Sequence, residues 1–157
     1  MHQSRLCQLV IDVNDLDAGE AFWAAAVSGQ AEPISKASND IYRRLKLPHS
    51  ELRLLLQLVP EPKSCKSRTH LDIEATDIEA EATRLEQLGA TRVRHVAERG
   101  FQFWVLTDPF GNEFCVLQPE FPDLLANQPT RPTQATDIDA THDRHTEPRD
   151  QPPPTAW

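Results

Sequence analysis

Apolar and polar residues alternate along several short segments of the chain, and two longer segments show helical periodicity. Residues 6–13 and 69–75 alternate in the way that is typical of a strand with one buried face. Each leads into a segment whose apolar residues recur every three or four positions and that ends at a glycine, Gly29 or Gly89. The pattern therefore predicts two similar strand–helix units.

Both predicted helices have recognisable ends. Asn14 or Asp15 is placed to cap the first helix and Asp77 the second, and Gly89 suits a left-handed position after the last turn. Trp23 lies on the apolar face of the first helix and is interpreted as a core residue. Three strand-like segments follow each helix, at 31–35, 40–47 and 51–59 and at 91–98, 101–107 and 113–118. We predict an α+β fold of two tandem βαβββ modules, 4–60 and 67–118, joined by a linker.

Alternation also assigns side chains to the two faces of each strand. The face without helix contact is predicted to carry a mixture of polar and apolar groups, which makes it a candidate ligand cleft. Its predicted members include Gln8, Val10, Asp12, Arg53, Leu55, Gln57, His70, Asp72, Glu74, Glu113 and Cys115.

Charge and cysteine content exclude several classes of function. The net charge is −8, which repels nucleic acid phosphates and anionic membrane surfaces, so we expect neither as a partner. Three cysteines suggest no disulfide framework and favour a reducing, cytoplasmic location. The N-terminal segment lacks the features of a signal peptide, and no stretch has the apolar length of a membrane span.

The composition changes near residue 119. From there the chain is rich in proline, threonine and aspartate and contains no glycine. Such a segment buries too little apolar surface to offset its conformational entropy. We predict a disordered tail over 126–157, preceded by a short docking segment at 119–125.

Three stretches of the sequence resemble a known family: "LVIDVNDLDAGEAFW", "THLDIEATDIEAEATRLEQLGA" and "DPFGNEFCVLQ". In this order they look like the glyoxalase/bleomycin-resistance, or vicinal-oxygen-chelate, superfamily, and most like its glyoxalase-like branch. The resemblance implies a glyoxalase-like domain over 1–118, in which the modules form a curved mixed sheet with a central cleft and the helices on the outside.

The resemblance also implies where a metal would bind. Metal-dependent members take one ligand from the first and last strand of each module, and these positions fall on Gln8, Gln57, His70 and Cys115. An amide and a thiol then replace two carboxylates, which does not suit a hard ion such as Mg²⁺, Mn²⁺ or Fe²⁺. Zinc bound by His70 and Cys115 is the alternative, although two strong ligands are fewer than the usual three or four. Glyoxalase I activity is not expected, because neither Gln57 nor Glu113 replaces the metal-bound glutamate that moves the substrate proton.

Several candidate residues have two interpretations. His70 is either functional or an imidazole hydrogen-bonded to a carboxylate such as Asp72. Cys115 is a nucleophile or a small hydrophobic residue, and the latter is favoured. Asp12 and Asp72, assigned to corresponding positions of the repeats, either clamp a cationic or hydroxylated ligand or pair with Arg44, Arg53 or Arg68. Trp104 is a cleft wall or a core residue.

These observations favour a small-molecule-binding protein of the bleomycin-resistance kind without the usual divalent metal. The alternative is a lyase, isomerase or dioxygenase that uses a metal, or His70 as its base. A homodimer is compatible with either. The predicted ligand-binding residues are Gln8, Asp12, Gln57, His70, Asp72, Trp104, Glu113 and Cys115.

Overall fold

A computed structural model describes residues 2–130 and contains two βαβββ units in succession. The first comprises β1 (Gln8–Val13), α1 (Leu16–Val27), β2 (Gln30–Glu32), a 3-10 turn (Lys36–Ser38), β3 (Tyr42–Lys46) and β4 (Arg53–Leu58). The second comprises β5 (Leu71–Glu74), α2 (Ile78–Gln87), β6 (Thr91–Glu98), β7 (Phe101–Thr107) and β8 (Glu113–Leu117). A short helix, α3 (Pro122–Leu125), follows. The predicted α+β fold is confirmed.

Each module forms its own four-stranded mixed sheet. The strand orders are β1-β4-β3-β2 and β5-β8-β7-β6, so the two sheets have the same topology. In each sheet the first strand pairs in parallel with the last, and the other pairs are antiparallel. The helix of each module connects the two edge strands of its sheet, so it crosses one face of that sheet. We call the opposite face the helix-free face.

The helices begin at the expected caps. Asp15 Oδ1 accepts the N–H of Ala18 at 2.9 Å, and Asp77 Oδ1 caps α2 in the same way. Gly89 has φ +110°, as predicted for the residue after α2. Helix α1 ends earlier than its glycine suggested, because Ser28 already adopts the left-handed conformation at φ 53°.

An aromatic cluster joins the two modules. The rings of Phe22 and Trp23 on α1 lie 6.1 and 5.5 Å from the ring of Phe114 on β8, and all three residues are almost fully buried. The Trp23 indole N–H donates to Asp108, a buried carboxylate of module two, at 3.1 Å. Trp23 is therefore a core residue, as predicted, and it also connects the modules.

Two further contacts fix the modules relative to each other. Arg84 on α2 forms a buried, bidentate pair with Glu81 and donates to the Ala25 carbonyl of α1 at 3.3 Å. The Asn112 side chain donates to the Asp12 carbonyl at 2.9 Å, which joins the end of β1 to the turn before β8. The helix-free faces are therefore held in a fixed relative position.

The segment after β8 packs back on the second sheet. Glu74 Oε1 accepts the backbone N–H groups of Glu120 and Phe121, each at 2.8 Å, just before α3. Both residues belong to the segment 119–125, for which docking was expected. Of the tail predicted over 126–157, residues 131–157 lie outside the described residues. Among residues 2–130, no helix has the length and hydropathy needed to cross a bilayer.

Candidate functional site

A cross-strand row on the helix-free face of the second sheet contains the main polar groups. Asp72 on β5 is opposite Cys115 on β8, Cys115 is opposite Val105 on β7, and Val105 is opposite Arg94 on β6. A register shift between Arg92 and Arg94 brings Arg94 into this row. No local pattern in the sequence indicated this shift, so Arg94 was missing from the predicted site.

His70 lies beside this row, just before β5. Its Nε2 is 3.3 Å from Asp72 Oδ1, and about half of each side chain is exposed (51% and 53%). The predicted contact between His70 and a neighbouring carboxylate is therefore present. Ligand atoms of His70, Asp72 and Cys115 all lie within 4.8 Å of one another. We call these three residues the His–Asp–Cys cluster.

Cys115 is a buried thiol in a setting that disfavours its thiolate. Burial, and secondly the negative charge of Asp72 and the hydrogen bond to it, raise the pKa of Cys115 to about 11. The positive charges of Arg94 and Lys66 act in the opposite direction but are outweighed. With no ligand bound, the thiol is protonated near neutral pH and is a poor nucleophile, as the sequence interpretation favoured.

Glu113 is occupied by the linker between the modules. Its Oε2 accepts the Ser67 backbone N–H at 2.7 Å and lies 3.3 Å from the Lys63 ammonium. The Ser67 N–H, followed by the Lys63 charge, holds the pKa of Glu113 below its usual value. Glu113 thus fixes the linker over this end of the second sheet as a carboxylate, and it is not set up as a general base.

The predicted site residues of module one lie at separate places on its helix-free face. Gln8 pairs with Arg53, whereas Gln57 pairs with Asp12 at the other end of the same two strands. A separation of four strand residues is about 13 Å between Cα atoms. Gln8 and Gln57 are therefore too far apart to bind one ion together.

Strand register corrects two residue correspondences. Val10 lies as far before the helix-capping Asp15 as Asp72 lies before the helix-capping Asp77, so Val10 and Asp72 are equivalent. Their pairing partners, Leu55 for Val10 and Cys115 for Asp72, are then equivalent too. The first-module counterpart of Cys115 is consequently Leu55, not Gln57. The counterpart of Asp72 is Val10, so Asp12 and Asp72 are not equivalent as predicted. The first error arose because the loops before β4 and β8 differ in length, whereas the second is visible in the sequence itself, since Asp12 lies three residues before Asp15 and Asp72 lies five residues before Asp77.

Two of the three arginines proposed as partners of Asp12 and Asp72 have another partner. Both Arg44 and Arg53 pair with Glu32 on β2, at 2.8 and 2.9 Å. Asp12 is exposed at the end of β1 and remains available to solvent.

Trp104 lies on the opposite face from the predicted cleft. It pairs with the core residue Val116, and its indole N–H donates to Glu79 on α2. Arg92 lies over its ring at 4.5 Å. The prediction of Trp104 as a cleft wall is wrong, because both faces of β7 are apolar and alternation did not indicate which one contacts the helix.

The residues at the four metal-binding positions implied by the family resemblance do not fit a hard divalent ion. At the four positions that the fold would use, module one supplies the amide Gln8 and the hydrocarbon Leu55, and module two supplies His70 and the thiol Cys115. Mg²⁺ and Mn²⁺ prefer several charged oxygen ligands, and none of these four residues has one.

Two cavities are present in module one, with volumes of about 230 and 390 Å³. Asn39 and Arg43 line both of them. Neither is lined by any residue of the predicted site, so they offer a competing location for a ligand.

Comparison with known families identifies the class of protein. The model of the glyoxalase-like domain family matches residues 8–117, which is most of the chain and both modules. This protein therefore belongs to the glyoxalase-like domain family. No curated protein matches the sequence.

Solved structures share the fold at low sequence identity. A mutant of the fosfomycin resistance protein FosX from Listeria monocytogenes, complexed with Mn(II) and 1S,2S-dihydroxypropylphosphonic acid, has a TM-score of 0.63 at 12% identity; 79% of this chain and 97% of that chain are covered. A glyoxalase/bleomycin resistance protein/dioxygenase family enzyme from Burkholderia phytofirmans has a TM-score of 0.61 at 17% identity, with 73% and 98% covered. At these identities the likeness concerns the fold.

Proposed function

We propose that this protein binds a small organic molecule on the helix-free faces of its two sheets, in the cytoplasm, without the hard-metal centre of its metal-dependent relatives. The observation that carries the proposal is Leu55 at the position of a metal ligand, which breaks the oxygen-donor set. Partly or fully exposed polar groups remain on or beside the helix-free faces of the two modules, namely Gln8, Asp12, Gln57, His70 and Asp72.

The charge of these groups indicates the chemical class of the ligand. Asp12 and Asp72 are exposed carboxylates on strands of different modules. Amides at Gln8 and Gln57 add hydrogen-bond donors and acceptors, and Val10 and Leu55 add apolar surface between them. A ligand with an amino or hydroxyl group on an apolar body satisfies this combination.

An enzyme is the second candidate, because His70 contacts Asp72 at 3.3 Å. A carboxylate next to an imidazole orients the ring and supports its role as a general base. In that case the protein would be a lyase, isomerase or dioxygenase of the superfamily. The two candidates share a binding site and differ in whether His70→Ala abolishes turnover or only weakens binding.

A crystallographic fragment screen tests the binding proposal. Crystals grown with a chelator are soaked with a library of amines, polyols and aromatic carboxylic acids. We expect the amines and polyols to collect on the helix-free faces, near Gln8, Gln57 and His70, and the carboxylic acids to be under-represented there because of Asp12 and Asp72.

Fragments found only in the cavities at Asn39 and Arg43 would contradict the proposal. The Asp12→Asn variant provides the matched control, since it removes one negative charge from an exposed residue of the site. It should reduce the number of bound amines and leave neutral polyols unaffected.

A further inference from the structure

We infer that the His–Asp–Cys cluster is a binding site for a single Zn²⁺ ion, formed by module two without ligands from module one. The site shares His70 and Cys115 with the fold's four-position arrangement and differs from it because Asp72, from within β5, takes the place of both residues of module one. It goes beyond the proposed function, which is tested with metals removed.

The geometry of the cluster matches a tetrahedral ion. Two ligand atoms that are each about 2.0 Å from tetrahedral Zn²⁺ lie about 3.3 Å from one another. The distance from His70 Nε2 to Asp72 Oδ1 is 3.3 Å. The Cys115 sulfur lies within 4.8 Å of a ligand atom of each of the other two residues. Rotation of the exposed His70 and Asp72 side chains toward it would complete three corners of the tetrahedron.

The chemistry of the donors selects the ion. One imidazole, one carboxylate and one thiolate suit Zn²⁺ and disfavour Mg²⁺ and Mn²⁺, which prefer oxygen. Binding releases the Cys115 proton, and the resulting thiolate and the Asp72 carboxylate together balance the charge of the ion. Three protein ligands leave the fourth position open to water or to a ligand on the same face.

Strand pairing fixes the backbone positions of two of the three donors independently of an ion. Asp72 and Cys115 are opposite each other in the β5–β8 pair, and His70 immediately precedes β5, two residues before Asp72. In module one, Val10 and Leu55 occupy the corresponding pair, and neither side chain can bind a metal. The site is thus confined to module two.

Cobalt substitution tests this inference on the full-length protein. Co²⁺ reports a thiolate ligand through a near-ultraviolet charge-transfer band, and Zn²⁺ should displace it at one ion per chain. We expect the band to be lost in Cys115→Ser. In His70→Ala and Asp72→Asn, the affinity of the protein for Co²⁺ should fall at least about tenfold. Because His70 and Asp72 are half exposed, these two variants should fold even if Cys115→Ser does not.

Three controls distinguish this site from metal binding elsewhere on the chain and from a site for a harder ion. A Cys7→Ser/Cys65→Ser double variant removes the exposed thiols and should keep the band. Gln8→Ala should also keep it, as should an approximately hundredfold excess of Mn²⁺. Any of four results would overturn the inference: no band in the wild type, a band that persists in Cys115→Ser, a band lost in Gln8→Ala, or Co²⁺ displaced by Mn²⁺. None of these results bears on fragment binding in the presence of a chelator.

Discussion

Replacement of Asp108 by alanine should lower the free energy of unfolding by about 3–5 kcal/mol. The Asp108 carboxylate is 2% exposed and accepts four N–H donors. The donors are the Trp23 indole, the Asn112 side chain and the backbone N–H groups of Phe110 and Asn112. A buried donor without an acceptor costs about 1–3 kcal/mol. The donors of the turn are only partly buried, so water replaces the carboxylate as their acceptor in part and reduces the total loss.

Urea denaturation followed by far-ultraviolet circular dichroism measures this loss. Asp108→Asn, which keeps one acceptor oxygen, should lose less than Asp108→Ala. The exposed Asp40→Ala is the control and should change the free energy by less than about 0.5 kcal/mol. Equal stability of Asp108→Ala and Asp40→Ala would show that the carboxylate does not hold the modules together.

Replacement of Phe114 by alanine is the second large change, with an expected loss of about 3–5 kcal/mol. Phe114 is 1% exposed, and its ring contacts Phe22 and Trp23 from the other module. Truncation to alanine leaves a cavity between α1 and β8 that the surrounding strands cannot close. The loss should therefore affect both modules in one cooperative transition.

Phe114→Leu tests whether volume is the cause. It fills much of the space and should lose about 1–2 kcal/mol. Phe121 is 56% exposed, and Phe121→Ala should have little effect. Two separate unfolding transitions in Phe114→Ala would mean that the modules fold independently, contrary to the shared core.

The sequence pattern predicted the secondary structure well, because strands and helices here have clear local signals. The capping aspartates Asp15 and Asp77 and the left-handed Gly89 are local features, and the structure has all three. Strand register is not local. The choice of Gln57 over Leu55 depended on loop lengths, and a two-residue shift replaced a hydrocarbon with an amide.

The geometry of the site was predicted correctly only for residues that are close together in the sequence. His70 and Asp72 are two residues apart on one face, so their contact followed from strand geometry. The position of Trp104 did not follow from strand geometry, because both faces of β7 are apolar: Phe103 and Val105 on one face, Trp104 and Leu106 on the other. The role of Glu113 depends on Lys63 and Ser67, which reach it through an irregular linker.

If one organic ligand contacts the helix-free faces of both modules, side chains from both modules must contribute to its affinity. Isothermal titration with the tightest fragment from the screen, in the presence of a chelator, measures these contributions on the wild type, Gln8→Ala and His70→Ala. We predict that each variant weakens binding about tenfold in the dissociation constant, equivalent to about 1.4 kcal/mol. An unchanged dissociation constant in either variant would contradict a site shared by the two modules.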